Sequence, residues 1–348
     1  MKINKLFLTI GIAATTISPI VVASSCNLTI KREKAIVRIQ NNKYISSKYK
    51  EELIKKTDLA KSYPEIKKNI NVLNSIVPFN YPNWPKSYEL DKVGTIFDNI
   101  IQISDSDEKK YNVTLWEYFH AVEAEVTHLA DGDTITVRVI KQPVKLPTEA
   151  QAVVVPETMS IRIANIDTLE ENTNNVSERE SSLAKMDHAF ADSLVLGQRV
   201  KLISSNWTTK SYNRFVANVF FGENYSKNFG IEMLANGYTL ARLNTIDFNS
   251  FKYGYQNKTL LENPNISSFL MPYLAYAINS AAYEKKGFYG ANVGINSPAQ
   301  FSLEYEEHDK NMIDHSSMIL RPEFLIKPGL ATYKNNIYKF FEKLEKNN

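Results

Sequence analysis

Two short stretches of the sequence contain residue types that together could hold a metal ion and hydrolyse a phosphate ester. The first is the run Asp131–Thr134, and the second contains Arg162, Asp167 and Glu170. Carboxylates such as those of Asp133 and Asp167 are hard oxygen ligands of the kind that bind Ca²⁺. A metal ion, a further carboxylate and a fixed guanidinium suit the attack of water on a phosphodiester, because negative charge develops on the phosphorus oxygens.

The residues around these stretches predict that both lie at strand ends. Residues 123–129 and 134–140 alternate between polar and apolar side chains, and the Asp-Gly turn between them predicts a hairpin. The segment Met159–Ile166 predicts a further strand, which carries Arg162 and ends at Asp167. The candidate residues are therefore expected at turns and strand ends.

Helices and strands are expected to alternate through the following region. Ser177 and Glu180 have the spacing of a capping box, which predicts a helix that runs to Gly197. Further expected elements are strands at Val200–Ser204 and Phe215–Phe221, helices at Ile231–Ala235 and Leu270–Lys285, a loop or insertion at 244–266 and a helical segment at Tyr333–Leu344.

Composition sets limits on the class of protein. The 348 residues are 43% hydrophobic, which is enough for a large core. The single cysteine, Cys26, excludes an intrachain disulfide, and the five histidines have no spacing typical of a metal site. Without residues 1–25 the chain has 39 basic and 38 acidic residues, so its net charge does not attract a polyanion.

The order of the candidate motifs resembles one known family. Asp-Gly-Asp-Thr at Asp131–Thr134, Arg-x-x-x-Ile-Asp-Thr-x-Glu at Arg162–Glu170 and Tyr-x-Arg at Tyr212–Arg214 follow one another as in the staphylococcal nuclease-like (thermonuclease) family. The resemblance covers about residues 117–290. It implies an α+β fold, an OB-type five-stranded β-barrel with three packed helices, to which this chain adds N- and C-terminal extensions.

The resemblance also implies a calcium site. In the family pattern the carboxylates that match Asp133 and Asp167 and the main-chain carbonyl that matches Thr168 hold Ca²⁺. The carboxylate that matches Asp131 supports the ion indirectly.

Four further positions are expected to act on the substrate. Arg162 and Arg214 match the two arginines that bind the phosphate and stabilise the transition state. Glu170 matches the general base for the attacking water, and Tyr212 matches a residue that contacts a terminal phosphate.

The sequence departs from the family pattern at several positions. Leu169 stands where the family usually has proline, and Asn213 stands where it often has glycine. Asn is among the residues best able to adopt a positive φ, so the turn before Arg214 is expected to form.

The tyrosines that stack on the base in the family are replaced here by Arg242, Leu243 and Asn244. Base contacts are therefore expected from other residues, with Phe248, Phe251, Tyr253 and Tyr255 as candidates.

The N-terminus has the pattern of an export signal. Lys2 and Lys5 precede the apolar run Leu6–Val22, and small residues lead into Cys26, which resembles the lipobox of bacterial lipoproteins. This predicts lipidation of Cys26 and anchoring on the extracellular face of the cell membrane. An uncleaved anchor helix and an ordinary signal peptide are the alternatives.

These observations predict four segments: a signal peptide at 1–25, a basic tether with a Pro/aromatic-rich segment at 26–116, the nuclease-like domain at 117–290 and a C-terminal extension of unknown role at 291–348. Between Lys31 and Lys68 there are 12 basic and 5 acidic side chains, so the tether either contacts anionic lipid or nucleic acid or is a solvated spacer. The cluster Val77–Pro85 is expected to pack on the domain that follows.

Two functions of different classes remain. The first is a surface-anchored, Ca²⁺-dependent nuclease that hydrolyses DNA and RNA. The second is a catalytically inactive nucleic-acid-binding module or adhesin. Every family position for metal and catalysis is present, which favours the first; the acidic excess of residues 117–290 and the missing tyrosines favour the second. No motif indicates a protein partner.

Overall fold

The computed structural model describes residues 19–42, 47–76, 89–171, 176–208, 210–306 and 310–347. The chain divides into two compact units, Met1–Asn74 and Ser75–Asn348. The predicted signal-peptide residues 1–18 and the Pro/aromatic cluster Val77–Pro85 lie outside the described residues.

Three helices account for most of the described part of the first unit. They are α1 (Pro19–Gln40), α2 (Ser47–Asp58) and α3 (Tyr63–Ile76). A small core consists of Ala35 of α1, Ala60 just after α2 and Ile66 of α3, and the Arg32 guanidinium donates to the Ala60 carbonyl. The described part of the predicted basic tether that lies before Val77 is thus mostly helical. Among the described helices, none is both long and apolar enough to cross a membrane.

The second unit begins with a 3₁₀ helix, Leu90–Asp98, and contains the remaining strands and helices. In chain order these are β1 (Ile100–Ser104), β2 (Lys110–Thr114), α4 (Leu115–Tyr118), β3 (Val122–Asp131), β4 (Thr134–Lys141), β5 (Thr158–Ile163), β6 (Ile166–Asp167), α5 (Glu178–Val195), β7 (Arg199–Ile203), β8 (Lys210–Ser211), β9 (Arg214–Phe221), β10 (Lys227–Asn228), α6 (Phe229–Ala235), β11 (Leu240–Ala241), α7 (Thr245–Asn257), α8 (Ile266–Glu284), α9 (Pro298–Phe301), α10 (Met312–Ser316) and α11 (Ile337–Asn347).

Five strands close into a barrel in the order β9-β5-β4-β3-β7, because β7 pairs again with β9. The pairs are antiparallel except β5 with β9, which is parallel. Along the first half of β3, from Val122 to Val126, the residues alternate between buried and partly exposed, as a strand with one face on a core requires. The predicted fold class, an OB-type barrel with packed helices and extensions, is confirmed.

Helix α7 corrects the prediction of a loop at 244–266. Its composition is poor in strong helix formers, which is why the sequence favoured a loop. The helix forms because the Asn244 side chain caps its first turn and because Phe248, Phe251 and Tyr255 bury one face in the core. Tertiary packing therefore overrides local propensity here.

Both extensions contribute to the same core as the barrel. Phe97, from the segment before β1, packs on Trp116 and Phe220 with ring centroids 5.0 and 5.1 Å apart. At the other end of the chain, a helix forms within the predicted helical segment Tyr333–Leu344, and Phe340 of this helix, α11, packs on Phe251 of α7 at 5.8 Å. The predicted segment boundaries at 116 and 290 stay predictions.

Candidate nuclease site

The turn between β3 and β4 places the first group of candidate residues. The Asp131 carboxylate accepts a hydrogen bond from the Asp133 backbone N–H at 3.0 Å, which fixes the turn. Gly132 lies so close to its neighbours that a Cβ atom there would be 2.4 Å from Asp187 Oδ1 and 2.8 Å from Thr168 Cγ2. Glycine therefore allows the hairpin turn to approach Thr168.

Strand pairing brings Arg162 to this turn. Arg162 on β5 lies opposite Thr134 on β4, and the Ile163 N–H donates to the Asp133 carbonyl at 2.8 Å. The Arg162 guanidinium contacts Asp133 Oδ1 through Nη1 and Asp167 Oδ1 through Nη2. One cation thus joins the two carboxylates that the sequence identified as metal ligands.

Asp167 and Thr168 follow β5 after a short turn and are also buried. Asp133, Asp167 and Thr168 are 2%, 1% and 3% exposed, respectively. The Thr168 N–H donates to Asp133 Oδ2 at 2.8 Å. Burial lowers the pKa of the Arg162 guanidinium, and the negative charge of Asp167 opposes that shift. These contacts hold the three predicted metal-ligand residues in one place.

Arg214 reaches the same site from the opposite side of β5. It begins β9, and its Nη1 donates to Thr134 Oγ1 at 2.7 Å. The preceding residues Tyr212 and Asn213 have φ values of 47° and 68°, so the turn forms with asparagine in place of glycine as predicted. Tyr212 is 93% exposed, which leaves its ring available to a ligand.

A cavity of about 730 Å³ lies beside these residues, although Asp131, Asp133 and Thr168 are not among those that line it. Its lining includes five of the residues predicted from the sequence, namely Arg162, Asp167, Glu170, Tyr212 and Arg214, so the structure brings these five together. The Glu170 backbone N–H donates to Glu180 Oε1 at 3.3 Å, and Glu180 is fully buried.

Several cavity residues were not identified from the sequence, and Arg242 is the most consequential. It stands where the family has a stacking tyrosine, and its Nη1 donates to Asp167 Oδ2 at 2.9 Å. His315, from the C-terminal extension, also lines the cavity. No local pattern indicated either position, because each reaches the site only through the packing of distant segments.

Asp187 is a second feature that the sequence did not reveal. Its Oδ2 accepts a hydrogen bond from the Leu169 N–H at 3.3 Å, which a proline at position 169 could not donate. Its Oδ1 is buried and has no partner among the described residues. Burial raises the pKa of the Asp187 carboxyl well above its ordinary value. The departure from the family pattern at Leu169 thus coincides with a buried carboxyl beside it.

The expected base-stacking residues are mostly unavailable. Phe248, Phe251 and Tyr255 are buried in the core, which rules out stacking on a base in this conformation. Tyr253 is 62% exposed and is the one of the four candidates whose ring is accessible.

The donor atoms fit a hard divalent cation. Two buried carboxylates, those of Asp133 and Asp167, converge on one positive group, the Arg162 guanidinium, so their oxygens are of the hard type that such cations prefer and their charge is offset by an arginine. The described residues include no group of three or more His, Cys, Asp or Glu side chains that could hold a metal ion. A metal ion here would therefore also need main-chain or water oxygens, such as the Thr168 carbonyl.

Comparison with known families agrees with this geometry. Residues 160–259 match the family model described as staphylococcal nuclease homologue. The matched range contains Arg162, Asp167, Glu170 and Arg214, whereas Asp133 reaches the site from outside it through the pairing of β4 with β5. Among curated proteins, none matches the chain in sequence.

Proposed function

Because the chain carries a staphylococcal nuclease-like domain, we propose that it is a Ca²⁺-dependent nuclease that hydrolyses the phosphodiester bonds of DNA and RNA. The observation that carries the proposal is the cavity that Arg162, Glu170 and Arg214 line together with Asp167. The cavity combines positive groups for a phosphate with a carboxylate that can accept a proton. These are the groups that water attack on a phosphodiester requires.

Glu170 is the general base in this proposal. Its carboxylate accepts the proton of the attacking water, and its backbone is held by the buried Glu180. Arg162 and Arg214 bind the phosphate oxygens and stabilise the charge that develops on them. A guanidinium has five N–H donors, and the contacts with Asp133 and Asp167 occupy two of those on Arg162.

The metal-holding residues are Asp133, Asp167 and the Thr168 carbonyl, with Asp131 fixing the turn that carries Asp133. When bound, Ca²⁺ supplies positive charge that offsets the phosphate and polarises the attacking water. Tyr212, exposed at the cavity edge, contacts a terminal phosphate of the substrate.

The location we propose is the extracellular face of the cell membrane, with a lipid on Cys26. Its support is the sequence pattern, in which the chain's single cysteine follows an apolar run and small residues. Cys26 lies within α1.

The test compares Glu170→Gln with Glu171→Gln in the full chain, using plasmid DNA and RNA with Ca²⁺ and then with a chelator. Glu171 is the adjacent carboxylate and is bonded instead to His188 at 3.1 Å. Glu170→Gln should lower the rate about 10²–10⁴-fold, and added Ca²⁺ should not restore it. Asp133→Ala should lose activity through the metal, so raised Ca²⁺ should recover part of the rate. Near wild-type activity of Glu170→Gln, or digestion indifferent to chelator, would contradict the mechanism.

The second candidate is an inactive nucleic-acid-binding module or adhesin. The observation in its favour is that both metal-ligand carboxylates are paired with guanidinium groups, from Arg162 and Arg242. A wild-type chain that binds nucleic acid but leaves it intact in Ca²⁺ would support this function.

A further inference from the structure

Tyr305 connects the C-terminal extension to the backbone of the candidate site. The residue is fully buried, and its hydroxyl donates to the Asp167 carbonyl at 2.8 Å. The same hydroxyl accepts from the Leu240 N–H at 3.0 Å, and Leu240 is the strand partner of Asp167. The hydroxyl therefore bonds to both strands of the β6–β11 pair at the position of a metal-ligand residue.

The next residue along the chain reaches Glu170. The Glu306 N–H donates to Glu180 Oε2 at 2.9 Å, while Glu180 Oε1 accepts from the Glu170 N–H at 3.3 Å. Glu180 thus links the C-terminal extension to the backbone of the proposed base. The Glu306 carboxylate accepts from the Ser177 N–H at 3.0 Å, at the residue that caps α5.

A surface ion pair completes this attachment. Glu304 pairs with Arg179 of α5 at 2.7 Å. Residues 304–306, which we name the positioning segment, therefore contact the backbone or the supporting residues of both Asp167 and Glu170. None of the three lines the cavity.

We propose that the positioning segment sets Asp167 and Glu170 at the distance and orientation that metal binding and proton transfer require. The expected effects on metal binding and catalysis rest on the proposed function. The inference goes beyond that function because it assigns a role to residues outside the matched range 160–259. Its bonds reach the backbone of Asp167 directly, through Tyr305, and the backbone of Glu170 indirectly, through Glu180. Small displacements of such groups reduce the rate strongly, because catalysis depends on geometry.

Tyr305→Phe tests the proposal because it removes the hydroxyl and keeps the ring that packs on Phe301 at 5.3 Å. The Asp167 carbonyl would keep its bond from the Thr239 hydroxyl at 2.7 Å, so the site should loosen without unfolding. We expect Ca²⁺ affinity, measured by calorimetry, to fall about tenfold and kcat about tenfold, with KM within about twofold of wild type.

Tyr289→Phe is the matched control. Tyr289 is also buried and packs on Phe301 at 5.9 Å, but its hydroxyl has no partner in the described structure. This variant should keep wild-type Ca²⁺ affinity and kcat. Unchanged Ca²⁺ affinity and kcat in Tyr305→Phe, or equal losses in both variants, would overturn the proposal.

Hydrogen exchange separates this proposal from the proposed function. The Leu240 and Glu170 amides should exchange faster in Tyr305→Phe than in wild type, whether or not the protein cleaves nucleic acid. If the wild-type protein cleaves neither DNA nor RNA, the proposed nuclease function is refuted. The exchange rates of these two amides would then still decide whether the segment positions the backbone. Should Tyr305→Phe not fold, Glu306→Ala, which removes the bond to Ser177 at the cap of α5, should increase the exchange rate of the Glu170 amide about threefold. A wild-type exchange rate in that variant would count against the proposal.

A second cavity, of about 510 Å³, adjoins the candidate site and shares Asn265 with it. No charged side chain lines it; its polar groups include the amides of Asn249 and Asn263 and the hydroxyl of Thr259. That hydroxyl is buried and has no partner among the described residues. Tyr253 adds an exposed ring.

We infer that this cavity binds a nucleobase of the substrate strand while the phosphate of that strand lies at the arginines of the adjoining candidate site. Neutral amides suit the donor and acceptor groups on a base edge, and a tyrosine ring offers a stacking surface. The inference rests on the proposed function only in placing the substrate phosphate at the arginines. It identifies residues that would contact the base in place of the tyrosines that this chain lacks.

The test measures binding of a short single-stranded DNA and of an abasic DNA of the same length to the Glu170→Gln chain. Tyr253→Ala should weaken binding of the normal strand about tenfold and leave the abasic strand within about twofold. Ile246→Ala is the control, because Ile246 is exposed on the same helix and does not line the cavity. Equal effects on both strands, or from both variants, would overturn the subsite. Binding is measured without turnover, so an inert wild type would refute the nuclease function and not this inference.

Discussion

Removal of the Arg242 side chain should strengthen Ca²⁺ binding. Arg242 Nη1 lies 2.9 Å from Asp167 Oδ2, and the Asp167 side chain is 2% exposed. A metal ion that uses this oxygen must displace the guanidinium or share the carboxylate with it. In Arg242→Ala that competition is absent, and one positive charge near the ion is removed.

The size of the effect follows from the exposure of the pair. A hydrogen bond to a charged group contributes about 1.5–3 kcal/mol when well shielded. The Arg242 side chain is 50% exposed, so solvent screening reduces the contribution to about 1 kcal/mol. Since about 1.4 kcal/mol corresponds to a tenfold change in affinity, Ca²⁺ should bind about fivefold more tightly.

Calorimetric titration of Ca²⁺ into the variant and the wild type measures this difference. Arg138→Ala is the matched control, because Arg138 pairs with Glu125 on an exposed face of the barrel. It removes the same charge and should leave Ca²⁺ affinity unchanged. Without Ca²⁺, Arg242→Ala should melt about 2–4 °C below wild type. Equal or weaker Ca²⁺ affinity in Arg242→Ala would refute the competition.

Three further outcomes follow from the structure. Gly132→Ala should destabilise the chain by about 1–3 kcal/mol in urea unfolding, since its Cβ would meet Asp187 Oδ1 at 2.4 Å; wild-type stability would contradict the close packing. Because the folded pKa of Asp187 is raised, its contribution to stability is greatest below its unfolded pKa of about 4 and is lost as pH rises through the folded value. In Asp187→Asn the free energy of unfolding should therefore fall less steeply above pH 4 than in wild type. An equally steep fall would show that Asp187 does not cause it. Cys26→Ser should release the protein from membranes or leave its precursor, whereas a processed variant that still sediments with membranes would exclude the lipid anchor.

The sequence predicted the parts of the site that depend on short-range pattern. The alternation around Asp131–Thr134 predicts a hairpin, which the structure has. The strand predicted at Met159–Ile166 also forms and carries Arg162, but it ends at Ile163, and Asp167 follows after a short turn in β6. Pairing of β4 with β5 then brings the two stretches together, as any antiparallel pair of these strands in that register must.

The unpredicted parts depend on contacts between distant segments. Arg242 meets Asp167 across 75 residues, and nothing near Arg242 distinguishes it from a surface arginine. Helix α7 forms because the core accepts Phe248 and Phe251, although its composition favours a loop. Asp187 lies on an ordinary helical pattern, and its burial depends on how close the Gly132 turn comes. Local sequence patterns do not indicate such contacts between distant segments.

The bond from Tyr305 to the Asp167 carbonyl also bears on when the site forms during synthesis. The two residues are 138 positions apart, so Asp167 is synthesised long before Tyr305, which supplies one of the two hydroxyls that bond to the Asp167 carbonyl. Domains commonly fold as units once their sequence has emerged, and contacts of large sequence separation form late. A nascent or prematurely ended chain would therefore contain all of residues 160–259 and still lack an organised site. The smallest fragment expected to work extends past Glu306, well beyond the stretch that family comparison delimits.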